Sequence, residues 1–214
     1  HNGVLFLDEL PEFNKNALEI LRQPLEDGHI NITRAYGTVT YDCAVMLVCA
    51  MNPCPCGYYG HPTRRCTCST GAASRYVNRV SGPLLDRLDI HIEVPPVNFD
   101  ELSGQAAKCE TSAQIRERVN RARQIQLERL SGTDAKCNAQ MSPKQTQQFC
   151  AMSNEAAALL RNAFERLGLS ARAYDKILRV ARTVADLDES SRIEAPHISR
   201  AIGFRSLDRR FWGQ

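Results

Sequence analysis

Gly3-Val4-Leu5-Phe6-Leu7-Asp8-Glu9-Leu10 sets four consecutive large apolar residues before two adjacent carboxylates. A short continuous apolar run of this kind reads as a strand buried on both faces of a parallel sheet. Asp8 and Glu9 then stand at its carboxyl end, the edge where open α/β sheets bind ligands. One carboxylate there can hold the hydration shell of a nucleotide-bound Mg²⁺, while its neighbour orients and deprotonates an attacking water. Asp8 fits the first part and Glu9 the second. The alternative is a strand that simply ends in two solvated acids.

Downstream, Asn14 reads as the N-cap of a helix through about Leu25, with Leu18, Leu21 and Leu25 on one face and Pro24 as the residue that kinks or ends it. Glu26-Asp27-Gly28 turns the chain into a β-hairpin, His29 to Arg34 and Thr38 to Tyr41, joined through Ala35-Tyr36-Gly37. Residues 44–50, Ala-Val-Met-Leu-Val-Cys-Ala, form a second apolar run of strand length. Asn52 follows it and is either a group for a water or γ-phosphate beside Glu9 or a polar residue opening the turn at Pro53.

Between Pro53 and Cys68 stand two Cys-x-Cys pairs, Cys54/Cys56 and Cys66/Cys68, in a loop punctuated by Gly57, Gly60 and Pro62. Four thiolates drawn together by such a loop can close a tetrahedral Zn²⁺ site of structural type, with His61 as a reserve ligand. Free thiols are the alternative, because the spacing is tighter than the usual zinc pattern. Ser74 to Val80 reads as a helix with Arg75 and Arg79 on one face. With Arg64 and Arg65 these form either a basic patch or ordinary surface charge.

Ile90 to Val94 alternates like a third strand, stopped by Pro95-Pro96. A linker to Gly104 separates residues 1–97 from a helical part, 98–214. Helices are expected over Thr111–Leu130 with Ile115, Val119, Ala122 and Leu130 along one side, then Pro143–Phe149, Ser153–Leu167, Ser170–Leu187 and Pro196–Phe204. Ser153 and Ser170 are N-caps, and Trp212 packs the tail on a helix.

The 214 residues, 43% hydrophobic and 24% charged, are ordinary for a globular protein. No run of about 18 apolar residues and no signal peptide is present, so no membrane partner is expected and the cytoplasm is the expected compartment. Nine cysteines, an odd number, point to reduced thiols or metal ligands. Residues 1–100 carry 8 Lys and Arg against 11 Asp and Glu, whereas 101–214 carry 19 against 13. The second half is therefore the basic one, which suits a polyanion or a plain solvated helical surface.

Apolar strands ending in Asp-Glu and in Asn, then Ser81 to Asp89 before a third strand and a helical bundle, resemble an AAA+ ATPase of the magnesium-chelatase-like family. Asn52-Pro53-Cys54-Pro55-Cys56-Gly57 and Leu169-Ser170-Ala171-Arg172-Ala173-Tyr174 resemble its ComM/YifB-type competence-associated group. The resemblance implies an α/β fold: a partial AAA+ P-loop NTPase core, parallel sheet with helices and a β-hairpin insertion, followed by an all-α lid. It makes Asp8 and Glu9 the Walker B pair, Asn52 sensor 1, Arg87 an arginine finger and Arg172 sensor 2, with ATP and Mg²⁺ as cofactors. The hairpin resembles an insertion that points to a central pore. The implied activity is that of a ring-shaped ATPase, a hexamer by analogy, acting on DNA in recombination. Arg34, Arg64, Arg65, Arg75 and Arg79 are the candidate DNA contacts. The ATPase subunit of a Mg²⁺ chelatase and a non-enzymatic zinc-bearing adaptor are the alternatives. No Gly-x-x-x-x-Gly-Lys-[Ser/Thr] occurs in the chain. The phosphate-cradling loop is expected upstream, this chain being a piece of something longer that is inactive alone.

Overall fold

The computed structural model describes residues 1–97 and 110–205. The chain divides into two compact units, 1–88 and 89–214. The first is mixed α/β and the second helical. Trp212 and most of the proposed linker lie outside the described residues.

In the first unit β1, Val4–Leu7, pairs in parallel with β4, Met46–Cys49, in the register Val4↔Met46 to Leu7↔Cys49. Parallel neighbours need a crossover, and here it holds two short helices and a hairpin. Asn14 caps α1, Lys15–Ile20, by accepting from the Asn16 N–H at 2.8 Å. The single helix expected to run to Leu25 is instead broken at Leu21, and α2, Arg22–Asp27, starts one residue later. Pro24 has no N–H to give the Ile20 carbonyl, so the ladder breaks a turn earlier and Pro24 sits in the first turn of α2, where no donor is needed. Gly28, at φ +70°, ends α2 in the left-handed conformation.

The hairpin joins β2, His29–Arg34, to β3, Gly37–Asp42, across Ala35-Tyr36. Its two faces differ. Asn31 and Thr40, and Thr33 and Thr38, hydrogen-bond across one face, while Ile30, Ile32, Val39 and Tyr41 line the other and stand exposed. Two helices close the unit: α3, Ala72–Val77, and α4, Gly82–Leu85, the latter capped by the Ser81 hydroxyl accepting from Leu84. A small core of Leu10, Leu18, Tyr76, Val80, Leu84 and Leu85 lies beneath.

Two expectations fail in the strands. β1 is not buried on both faces: Val4 is 67% and Phe6 58% exposed, and Met46 opposite is 65% exposed. Among the described residues β1 and β4 have only each other as sheet neighbours. Ile90–Val94 forms no strand either. Among the described residues its ladder contact is an isolated bridge, His91 to Arg205, with the His91 N–H donating to the Phe204 carbonyl at 2.6 Å. Alternation alone makes no strand without a partner to receive its backbone bonds.

The second unit holds α5, Ser112–Arg129, α6, Pro143–Phe149, α7, Asn154–Leu167, α8, Ala171–Leu187, and α9, Ala195–Gly203; α5, α6 and α9 pack on α8, and α7 packs on α9. Ser153 and Ser170 cap α7 and α8 as expected, accepting from Ala156 and Ala173, and Thr111 and Ser142 make full capping boxes with Gln114 and Gln145. Ile177, Ala181 and Ala185 of α8 join Leu160, Met141, Ile193 and Ile198 in the main core. Of the apolar side expected on α5, Ala122 and the adjoining Leu130 are buried, but Ile115 and Val119 are exposed. Only the carboxyl half of α5 packs. Among the described residues no helix is long and apolar enough to cross a membrane.

Candidate nucleotide and metal sites

The parallel register places the carboxyl ends of β1 and β4 on one edge, so Asp8-Glu9 and Asn52 leave the sheet on the same side. Hydrogen bonds stitch the two exits together: Ala50 donates to the Leu7 carbonyl at 2.9 Å, and Leu10 donates to the Ala50 carbonyl at 3.0 Å. Glu9 itself takes φ +51°, ψ +46°, the left-handed conformation, and its N–H is held by the Asp8 carboxylate at 2.9 Å. A non-glycine residue pays about 1–2 kcal/mol for that geometry. Glu9 starts the 3₁₀ turn Leu10–Glu12. No sequence pattern announces this strain, which strained functional positions often show.

Arg87 lies two residues past α4 with a mostly buried guanidinium. It donates to the Arg22 carbonyl at 3.0 Å and the Pro83 carbonyl at 2.7 Å, and forms an ion pair with Glu26. Glu26 is the partner that sequence reading missed, because 61 residues separate the two and no local motif links them. Arg172 belongs to the other unit, in the first turn of α8.

The four cysteines of the loop converge. Sγ of Cys54 lies 3.4 Å from that of Cys56 and 3.8 Å from that of Cys66, Cys56 and Cys66 are 3.4 Å apart, and all four ligand atoms fall within 4.8 Å of one another. Sulfurs placed tetrahedrally at about 2.3 Å around one ion would sit ~3.8 Å apart, and a disulfide would need about 2.05 Å. The group could hold a metal. Backbone N–H groups of Tyr58 and Thr67 donate to Cys56 and hold its thiol down to about 5. Against a donation from the Cys56 N–H, Cys68 is pushed up to about 12 by its bonds to the other cysteines and by desolvation. His61 is not a fifth member: its Nδ1 accepts from the Thr63 and Arg64 N–H groups at 3.2 and 3.0 Å.

The candidate basic residues differ in their surroundings. Arg64 stacks over the Tyr58 ring at 5.3 Å and donates to its hydroxyl at 2.8 Å. Arg75 lies in the last turn of α3. The helix, expected to run to Val80, ends at Val77, so Arg79 lies beyond it, and it pairs with Glu12 at 2.9 Å. Arg34 stands at the hairpin end, paired in register with Gly37, and Arg65 adjoins Cys66. Residues 43–85 nonetheless contain four arginines and no acid.

Comparison with known proteins gives two family profiles in succession. "Magnesium chelatase, subunit ChlI" matches residues 1–102, and "Magnesium chelatase, subunit ChlI C-terminal" matches 109–205. Competence protein ComM of Haemophilus influenzae is 45% identical over 97% of the chain, and the uncharacterized protein YifB of Escherichia coli 43% over 98%. An uncharacterized protein of Mycobacterium tuberculosis is 37% identical over 98%. The chain spans about 40% of the length of each of these relatives.

Proposed function

The chain belongs to the magnesium-chelatase-like family of AAA+ proteins that includes ComM and YifB, and from that premise we propose that it carries the hydrolysis half of an ATP-driven motor. The observation behind this reading is the shared strand edge, with Asp8-Glu9 and Asn52 leaving it on one side. Asp8 holds the hydrated Mg²⁺ of ATP, Glu9 activates the attacking water and Asn52 positions it. Arg172 meets the γ-phosphate. Arg87 reaches a neighbouring subunit's nucleotide in a ring, hexameric by analogy, and has to exchange Glu26 for phosphate to do so. Zn²⁺ fits the four-thiolate loop as a structural ion, since a full set of four ligands leaves no open position for catalysis.

DNA is the proposed partner and the cytoplasm the setting. One relative carries the name competence protein, and the acid-free arginine stretch and the basic helical unit are compatible with a polyanion. The family description keeps one second reading, the ATPase subunit of a Mg²⁺ chelatase. In the full-length protein, Glu9→Gln should abolish ATP turnover while nucleotide binding persists, and DNA binding should weaken steeply with salt. Unchanged turnover in Glu9→Gln overturns the role of Glu9, and absence of ATP turnover in the parent protein overturns the ATPase assignment. Porphyrin-dependent turnover without DNA binding would favour the chelatase.

A further inference from the structure

The four-cysteine loop begins two residues after Asn52. From Met51 to Gly71 the chain has neither helix nor strand. Within that span Cys54 is the one buried residue, at 0% exposure. Asn52 is therefore suspended between two anchors. Upstream, Ala50 is bonded to Leu7 and Leu10 across the sheet edge. Downstream, the nearest fixed point is Cys54, within 3.8 Å of two other sulfurs. Among the described residues the loop's backbone–backbone bonds are local, such as Gly57 to Cys54 and His61 to Tyr58, and make turns.

We infer that the metal-closed cysteine cluster is the clasp that positions Asn52 at the strand edge, so that occupancy of the metal site is a condition for ATP turnover though the ion lies outside the reaction. This rests on the metal and Asn52 assignments of the proposed function. The donor set narrows the metal to thiophilic ions, of which Zn²⁺ is the proposed one. Four soft thiolates select Zn²⁺ over Mg²⁺ or Ca²⁺, which take oxygen ligands. The common 4.8 Å span has room for a single ion. Asn52 is a positioning residue of the strand exit, and the clasp acts through it.

The test uses the full-length protein. Elemental analysis should give one zinc per chain, and exchange for Co²⁺ should give the visible absorption of a tetrahedral tetrathiolate site, a readout independent of ATP. The C56S/C68S protein should lose the zinc, gain a protease-sensitive site between residues 53 and 70, and drop at least tenfold in turnover with ATP affinity within threefold of the parent. Should that variant fold poorly, zinc removal from the parent by a chelator and its restoration should lower and return turnover in step. Freely titrating thiols and no bound metal in the parent would overturn the metal site itself. Zinc present and lost on substitution or chelation, with turnover unmoved, would overturn the clasp alone. N52A with undiminished turnover would remove the nucleotide role of Asn52 and leave the metal site standing.

Discussion

Glu9 shows the competition between fold and function in a single residue. Its left-handed backbone is the geometry glycine takes without cost, and its side chain is exposed, so no packing repays the strain. Glu9→Gly should stabilise this chain by roughly 0.5–1 kcal/mol in a denaturant titration while the full-length protein loses ATP turnover. A fall in stability would mean that the carboxylate makes a contact worth more than the strain. Asp186 is the opposite case, a fully buried carboxylate that accepts from Arg182 Nε at 3.0 Å, Asn138 at 2.8 Å and Arg129. Asp186→Ala strands two cations in the helical unit and should cost about 3–5 kcal/mol by thermal unfolding. Cys150 gives the pH dependence. Desolvation pushes its thiol up to about 11, and it donates to the Leu178 carbonyl. The folded state therefore holds the proton longer than the unfolded state, whose thiol titrates near the ordinary 9.0. Its contribution is whole below pH 9 and is lost as pH rises towards 11, so the fall in stability over that window should flatten in Cys150→Ala.

Among the elements, the segment around α4 decides where Arg87 points. Ser81 and Pro83 start a one-turn helix, and the chain beyond it returns the guanidinium to α2. In the full-length oligomer Arg87→Ala should leave nucleotide binding nearly intact and cut turnover by about 10³-fold, as the loss of an arginine finger does. Mixing it with Glu9→Gln protein should restore part of the activity at hybrid interfaces. Equal loss of binding and turnover, without rescue, would assign Arg87 to holding α2 through Glu26. The hairpin raises a separate question, because its apolar face of Ile30, Ile32, Val39 and Tyr41 is uncovered while its polar face is internally bonded. Arg34 sits at its end. Arg34→Ala should weaken DNA binding by the full-length protein and lower the salt slope by about one unit if the hairpin tracks phosphates.

At the level of the whole molecule the two units carry their stability differently. The helical unit has a continuous core of alanines and branched residues around α8. The α/β unit has a smaller core, and β1 and β4 expose apolar side chains. The 214-residue chain should accordingly bind ATP weakly or not at all, since it contains no phosphate-loop motif. Tight, Mg²⁺-dependent binding by isothermal titration would refute that.

Most of the helical unit was legible as pattern, because caps and periodicity are local: Ser153, Ser170 and Pro143 mark helix starts that the structure keeps. The same holds for β1, the hairpin and β4, whose boundaries lie within two residues of those read from alternation and apolar runs. The pairing of the two Cys-x-Cys motifs was also readable, since turn-forming glycines bring close what spacing separates. Burial was not readable. A run such as Val4–Leu7 states an appetite for neighbours, and only the assembled sheet says how many it has. Ile90–Val94 alternates well and stays irregular for the same reason. Long-range partners were equally invisible: the Glu26 that holds Arg87 and the Asp186 that gathers Arg129 and Arg182 are set by how helices meet. The left-handed turn at Glu9 was hidden too, because a strained backbone persists only where the surrounding chain, here the Leu10 to Ala50 bond across the sheet edge, leaves it no other course.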